Sequence, residues 1–317
     1  RAQCMVVAGK GYLLLKKIED LKDENDWRTV LSKDAKEYLA QRYALLVGWV
    51  GGTLPELYEE DGMIELSMAD VAGAGFAVGA GIVGRRPFYI IRYECFNWFN
   101  SPIIITYACK SKEIWGNPCP IFVRSIAMEG AIGPVAGSSH HSLYYRMPGV
   151  RIKSPMTPKE YRSVYDEFMS EDEVYYVSEH RGAYANSDEL NNIYYDKPDL
   201  ALFCISITRF AAIEVAKHFL SRGVKISLHH IVDIKPLVLK KADYECAKIA
   251  GKALVIDDDY EDGIAKNIAF EIHSQTKCQM FSMGLKDKTA GFHPKVDNLP
   301  PSKEEIIIKI NNILSLS

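Results

Sequence analysis

Asp70, the pair His140-His141, and the aromatic residues Tyr93 and Phe96 are the side chains whose types and neighbours could do chemistry. Asp70 opens a run that carries Gly73, Gly75, Gly79 and Gly81, with Gly84 at its end. A glycine inside a helix costs about 1 kcal/mol against alanine, so the four interior ones cost on the order of 4 kcal/mol together. Such a run needs a packing reason, the close approach of another helix or of a ligand. A carboxylate in the first turn can serve chemistry, or only cap and charge the helix N-terminus. His140 and His141 follow Ser138-Ser139 in a glycine-bearing stretch. Histidines in such a loop point to function more than histidines on an apolar helix face do. No other histidine, cysteine or acidic residue stands nearby in sequence at ligand spacing, which argues against a metal site. Tyr93, Phe96, Trp98 and Phe99, then Tyr144-Tyr145, are aromatic stretches of the kind that usually fill a core or an interface.

The elements that must position these residues alternate between strand and helix, which favours an α/β fold with parallel sheets. The pattern predicts a charged helix over 11–42, an apolar run over 43–50, a helix over 54–60 and a strand over 63–66. The Gly/Ala-rich helix follows over 68–83, then strands over 88–93 and 120–124. Residues 127–148 lack periodicity and read as loop. A strand over 150–153 leads to a helix that Pro158 opens at its first position, where proline is suited, and then to a strand over 174–178. The polar segment 180–198 is the best boundary and divides the chain into domains 1–184 and 185–317. The second domain repeats the alternation: strands over 200–206, 225–231, 253–256 and 279–283, and helices over 210–222, after Pro236 and over 264–273. Ile306, Ile307, Ile310 and Leu314 recur at helical spacing and mark a last helix over 303–314.

Bulk composition excludes several classes. The 317 residues suffice for two domains, and 48% hydrophobic with 25% charged residues is an ordinary globular mixture. A net charge of −3 calls for neither nucleic acid nor an anionic membrane. The most apolar stretch, 71–83, is well short of the roughly 20 residues a membrane span needs, and the start of the chain carries no A-x-A-like cleavage site. Seven scattered cysteines without a C-x-x-C pair read as free thiols in a reducing cytoplasm. There is no phosphate-binding G-x-x-x-x-G-K-[ST], no dinucleotide fingerprint and no G-x-S-x-G.

Several passages, taken in order, resemble one family. Met68-Ala69-Asp70, the Gly/Ala helix and Gly84-Arg85-Arg86-Pro87 resemble a motif of transketolase-like pyrimidine-binding domains. His141-Ser142, Met147-Pro148-Gly149-Val150, and Ser154-Pro155-Met156-Thr157-Pro158 are similar to the HS and "PG-strand-PxxP-helix" passages of 2-oxo acid dehydrogenase beta subunits. The strand 174–178 running into Glu179-His180, the turn Asp233-Ile234-Lys235-Pro236-Leu237, and the passage from Leu254 and Asp257 to Gly263 continue the likeness. It extends from about Tyr43 to the C-terminus.

This resemblance implies a thiamine-diphosphate-dependent beta subunit built as two α/β/α domains, a pyrimidine-binding domain followed by a transketolase C-terminal domain. It implies that Asp70 hydrogen-bonds the cofactor's pyrimidine and that Phe96 stacks on that ring, with Tyr93 one turn earlier. It also implies that His141 faces the substrate, with His140 in support. The family has glutamate where Asp70 stands, and the segment 141–148 is shorter than the family's. The diphosphate and its Mg²⁺ require a GDG…N motif. Glu60-Asp61-Gly62 and Glu261-Asp262-Gly263 do not supply it. The missing half is expected on an alpha-type partner, in an α2β2 heterotetramer, with a lipoyl acyltransferase as a further partner. The reaction implied is decarboxylation of a 2-oxo acid with acyl transfer. Two alternatives stay open: a split transketolase or acyloin-forming synthase, and a non-catalytic structural or regulatory homologue.

Overall fold

The computed structural model describes residues 3–7, 44–48, 63–66, 69–128, 139–289 and 297–316. The helices expected over 11–42 and 54–60 lie outside them. The described residues form two compact units, one from Arg1–Ala127 and Leu143–Glu189, the other from Met128–Ser142 and Leu190–Ser317.

The first unit is a mainly parallel sheet with helices. Strand β1 (Gln3–Val7) runs antiparallel to β2 (Ala44–Gly48) and β3 (Met63–Leu66). From β2 the sheet continues in parallel through β4 (Arg86–Ile91), β5 (Ile121–Ala127), β7 (Val174–His180) and β6 (Val150–Lys153). Every residue of β4, β5 and β7 is buried, as strands of a covered parallel sheet must be. Their aromatics pack beneath helix Pro158–Ser170: Phe88, Phe122 and Tyr165 lie 4.7–5.2 Å apart, centroid to centroid. Thr157 caps that helix by accepting from the backbone N–H of Glu160, and Pro158 occupies its first turn. The ion pair of Arg124 and Glu179 lies wholly inside this unit.

The Gly/Ala-rich helix α1 spans Asp70–Ile82. Gly81 is where a close approach requires glycine, since an added Cβ would sit 2.7 Å from Cys119 Sγ and 3.3 Å from the Pro120 carbonyl. Gly75 and Gly79 are different. Nothing lies within 4 Å of their Cβ positions, and they share an exposed face with Phe76 (45% exposed) and Val83 (77%). The aromatic stretch after β4, to which the pattern assigned no element, is helical. A short 3-10 turn, Glu94–Phe96, leads into helix Asn97–Ile103, a π turn at Ile104–Ala108 and helix Cys109–Trp115. The helix was not expected because aromatic residues favour strands and Pro102 sits inside it. Among the described residues of the segment read as loop over 127–148, Ser142–Tyr145 forms a helical turn.

The second unit carries a parallel sheet in the order β12 (Gln279–Leu285), β11 (Lys252–Tyr260), β8 (Leu200–Ile205), β9 (Ile226–Ile231), and the short strand β10 (Asp233–Lys235) follows β9 in the chain. Helices Thr208–Leu220, Lys241–Ala250, Ile264–Thr276 and Lys303–Ser315 accompany it. Of the predicted stripe of the last helix, Ile306 and Ile310 are buried in the core with Leu200, Leu202 and Phe219. Ile307 and Leu314 pack against it partly buried, and Ile313, outside the predicted stripe, is buried as well. Its start is a capping box between Ser302 and Glu305. None of the described helices is long and apolar enough to cross a membrane.

Candidate functional site

In the first unit, Asp70 is the first residue of α1 and not its N-cap. The N-cap is Ala69, which offers no capping side chain. The half-buried carboxylate therefore lies at the positive end of the helix dipole. Its Oδ1 accepts a hydrogen bond from Asn100 Nδ2 at 3.1 Å, and the same amide donates to the Phe96 carbonyl at 2.8 Å. Asn100 thus joins Asp70 to the turn that carries Phe96. Tyr89 adds its hydroxyl to Asn100 Oδ1. Phe96 and Tyr93, both half-buried, meet edge to face with centroids 5.8 Å apart. Asp70 and Phe96 therefore share one amide, and Tyr93 packs against Phe96.

Sequence reasoning missed the residue at the centre of this region. Glu94 is wholly buried. Tyr176 donates its hydroxyl to Glu94 Oε1, and Ser178 Oγ lies 3.2 Å from Oε2. Asn97 Nδ2 donates to the Glu94 carbonyl and to Ser125 Oγ, both at 2.6 Å. Burial, followed by the nearby Glu94 charge, holds the Tyr176 phenol well above its usual range. An Asn-x-x-Asn spacing after a glutamate was the available signal, but polar residues beside aromatics give no such reading without the fold.

The histidine pair falls in the second unit. His140 is half-buried, with its ring 6.3 Å from that of Tyr260. His141 is wholly buried, and its Nε2 lies 2.9 Å from Asp257 Oδ2 and 3.9 Å from Asp259 Oδ2. Burial pushes the imidazole's pKa down. The Asp257 carboxylate, helped by Asp259 and Asp258, more than reverses this and holds it well above the usual histidine range. Asp258 Oδ2 accepts from Ser139 Oγ at 2.6 Å and from Ser206 Oγ at 2.9 Å, and Asp259 Oδ2 accepts from the Ser142 N–H at 2.9 Å. One ligand atom each from His141, Asp257 and Asp258 lie within 4.8 Å of one another, a spacing a cation would also accept. The same side chains also hydrogen-bond one another and Ser139 and Ser206. The sequence reading found no acidic residue near the histidines because Asp257 stands 116 positions away. The legible signal was Asp257-Asp258-Asp259 itself, three charges in a row inside an otherwise apolar strand.

The two parallel α/β units, read with these clusters, define a transketolase-like fold. Over 80% of this chain and 84% of the other, it superposes on a solved split gene transketolase, described as an inactive beta4 tetramer, with a TM-score of 0.63 at 15% identity. No family model matches the chain. Among curated proteins, it is 24% identical over 229 residues to the 2-oxoisovalerate dehydrogenase subunit beta of Bacillus subtilis, covering 66% of this chain and 68% of the relative. It is 24% identical over 253 residues to the acetoin:2,6-dichlorophenolindophenol oxidoreductase subunit beta of Cupriavidus necator, covering 74% and 73%. The pyruvate dehydrogenase E1 component subunit beta of Rickettsia bellii is 23% identical over 226 residues, covering 65% and 68%. The chain is thus similar to beta subunits of 2-oxo acid dehydrogenases, as its motifs led one to expect.

Proposed function

We propose that this chain is the beta-type half of a heteromeric thiamine-diphosphate enzyme that cleaves a C–C bond next to a carbonyl. The observation that carries the reading is the shared character of the relatives: all three are named beta subunits, two of them of 2-oxo acid dehydrogenases. The reaction is decarboxylation of a 2-oxo acid with acyl transfer, a lipoyl acyltransferase being the acceptor's carrier. Residues 1–184 then correspond to the pyrimidine-binding domain and 185–317 to the transketolase C-terminal domain. The enzyme works in the cytoplasm, in keeping with six described cysteines that are all free and buried.

The donor set of the first unit suits the aminopyrimidine end of the cofactor. Asp70 offers a carboxylate at a helix N-terminus, Asn100 holds it, and Phe96 with Tyr93 offers an aromatic surface beside it. When bound, the cofactor supplies the carbanion chemistry, and the protein supplies position and electrostatics. Asp70 would hydrogen-bond the pyrimidine ring nitrogen, and Phe96 would stack on the ring's face. His141 places positive charge on the substrate side, supported by His140. The diphosphate and Mg²⁺ belong to an alpha-type partner with GDG…N, in an α2β2 assembly. The exposed face of α1 around Gly75, Phe76, Gly79 and Val83 supports such a partner.

A reconstituted pair tests this. Asp70→Ala should slow exchange of the cofactor's C2 proton by about 10²–10⁴-fold, the usual loss for a positioned acid/base group. Exchange at the unmodified rate would sink the assignment. A second reading, a beta-type chain that keeps the fold without the chemistry, is favoured by the complete burial of His141. It predicts that the pair binds the cofactor without turnover. The acetoin relative and the transketolase neighbour likewise support an acyloin-forming or split transketolase version of the same chemistry.

A further inference from the structure

We propose that Asp257 is the positioning residue of His141, fixing the imidazole through Nε2 so that it works as a seated cation and not as a proton acceptor. This rests on the reading that His141 serves the substrate side. The geometry begins with strand β11. In a regular strand, consecutive side chains point to opposite faces, so Asp257, Asp258 and Asp259 should not all reach one segment. The pairing of β11 with β12 is irregular between Ile256 and Tyr260, and a bulge re-aims side chains. All three aspartates consequently hold the same short loop: Asp258 takes Ser139, Asp257 takes His141, and Asp259 takes the Ser142 N–H.

Their tasks differ. Asp258 is shared with Ser206. The second oxygen of Asp259 accepts from the Tyr260 N–H at 2.7 Å, and its first lies 3.9 Å from His141 Nε2, too far for a hydrogen bond. Asp257 Oδ2 is within hydrogen-bond reach of the ring at 2.9 Å, and its other oxygen is locked by the Asp258 N–H at 2.8 Å. Gly263 presses the loop from the far side. A Cβ there would lie 2.9 Å from the Tyr260 carbonyl and 3.3 Å from Ser142 Cβ. Among the described residues these three carboxylates face the ring, and the neighbouring His140 lies against Tyr260. Loss of a proton from either ring nitrogen would remove the positive charge that faces the buried Asp257 carboxylate at 2.9 Å.

The test is a long-range ¹H–¹⁵N spectrum of the full chain carrying ¹⁵N-histidine, with His141 assigned by its absence in H141Q. Both ring nitrogens of His141 should stay protonated as pH rises above about 6.5, where an ordinary histidine becomes neutral. In Asp257→Asn the same ring should titrate near the ordinary value, whereas Asp258→Asn should leave it doubly protonated. An unmodified chain whose His141 titrates near 6.5 overturns the proposal, and this measurement decides even if D257N does not fold. A folded D257N with His141 still cationic overturns it equally. Turnover of the reconstituted enzyme separates the two claims. If H141Q turns over normally while the spectrum shows a fixed cation, the substrate-side role fails and the ion pair stands. If D257N keeps both turnover and its pH profile while H141Q is impaired, the substrate-side role stands and the positioning role fails.

Discussion

His141 and His230 belong to the same unit, and their pKa values are shifted in opposite directions. His230 lies in β9, where its Nδ1 accepts from Arg209 Nε at 3.2 Å and lies 3.4 Å from Cys204 Sγ. Burial and then the Arg209 guanidinium push its pKa down to about 3, so it is neutral at physiological pH. Burial acts in the same direction on His141, but Asp257 overrides it. Desolvation alone would make both rings neutral. The charge within hydrogen-bond reach decides which one stays protonated.

Breaking the pair that makes His141 different should have the largest effect. Asp257→Ala removes one partner of a fully buried pair and should cost about 3–5 kcal/mol in urea unfolding at neutral pH. A loss below about 1 kcal/mol would place the two groups in solvent-like surroundings. The pH dependence sharpens the contrast, because the two signs differ. His141 has a folded pKa above its unfolded value of about 6.5, so its stabilisation is complete below that pH. That stabilisation is lost as pH rises through the folded value. Stability measured against H141Q should therefore converge on the alkaline side. His230 has its folded pKa depressed to about 3, so the unfolded chain binds the extra proton. Stability should fall by about 1.4 kcal/mol per pH unit between about 6.5 and 3, and His230→Gln should flatten that limb. A chain in which both variants shift the same limb would erase the comparison.

Arg209→Met should then bring the two histidines closer together. Without the guanidinium, the His230 pKa should rise from about 3 towards the ordinary range, read by the same imidazole spectra, while His141 is unmoved. The smallest effect belongs to Ser139→Ala. It removes one of two hydroxyls on Asp258 and leaves Ser206, so roughly 1 kcal/mol of stability should go, with His141 still charged.

Much of the fold could be read from the chain. The alternation over residues 200–314 predicted the second unit nearly element by element, because a covered parallel sheet writes apolar strands between amphipathic helices. Asp70 was legible at the head of a costly glycine run. The structure accounts for Gly81 by its contact with Cys119 and leaves Gly75 and Gly79 on an exposed face. The helices over 97–115 were not legible, since aromatic residues and Pro102 argue locally against helix and tertiary packing overrides them. Nor did the division at 184/185 suggest that His141 packs with the second unit.

The sequence by itself determined the α/β class, the glycine-lined helix behind Asp70, and the motif order that resembles dehydrogenase beta subunits. Local patterning reports which face of an element is apolar, and little else is needed for those conclusions. Only the tertiary structure decided the chemistry of the candidate groups. It joined Asp70 to Phe96 through Asn100, placed a buried Glu94 against Tyr176, and brought Asp257 across 116 positions to His141. Hydrogen bonding and charge act over a few ångströms of space, whatever the separation along the chain. For that reason the protonation states of His141 and His230 cannot be read from the chain, only from the carboxylate beside one and the guanidinium beside the other.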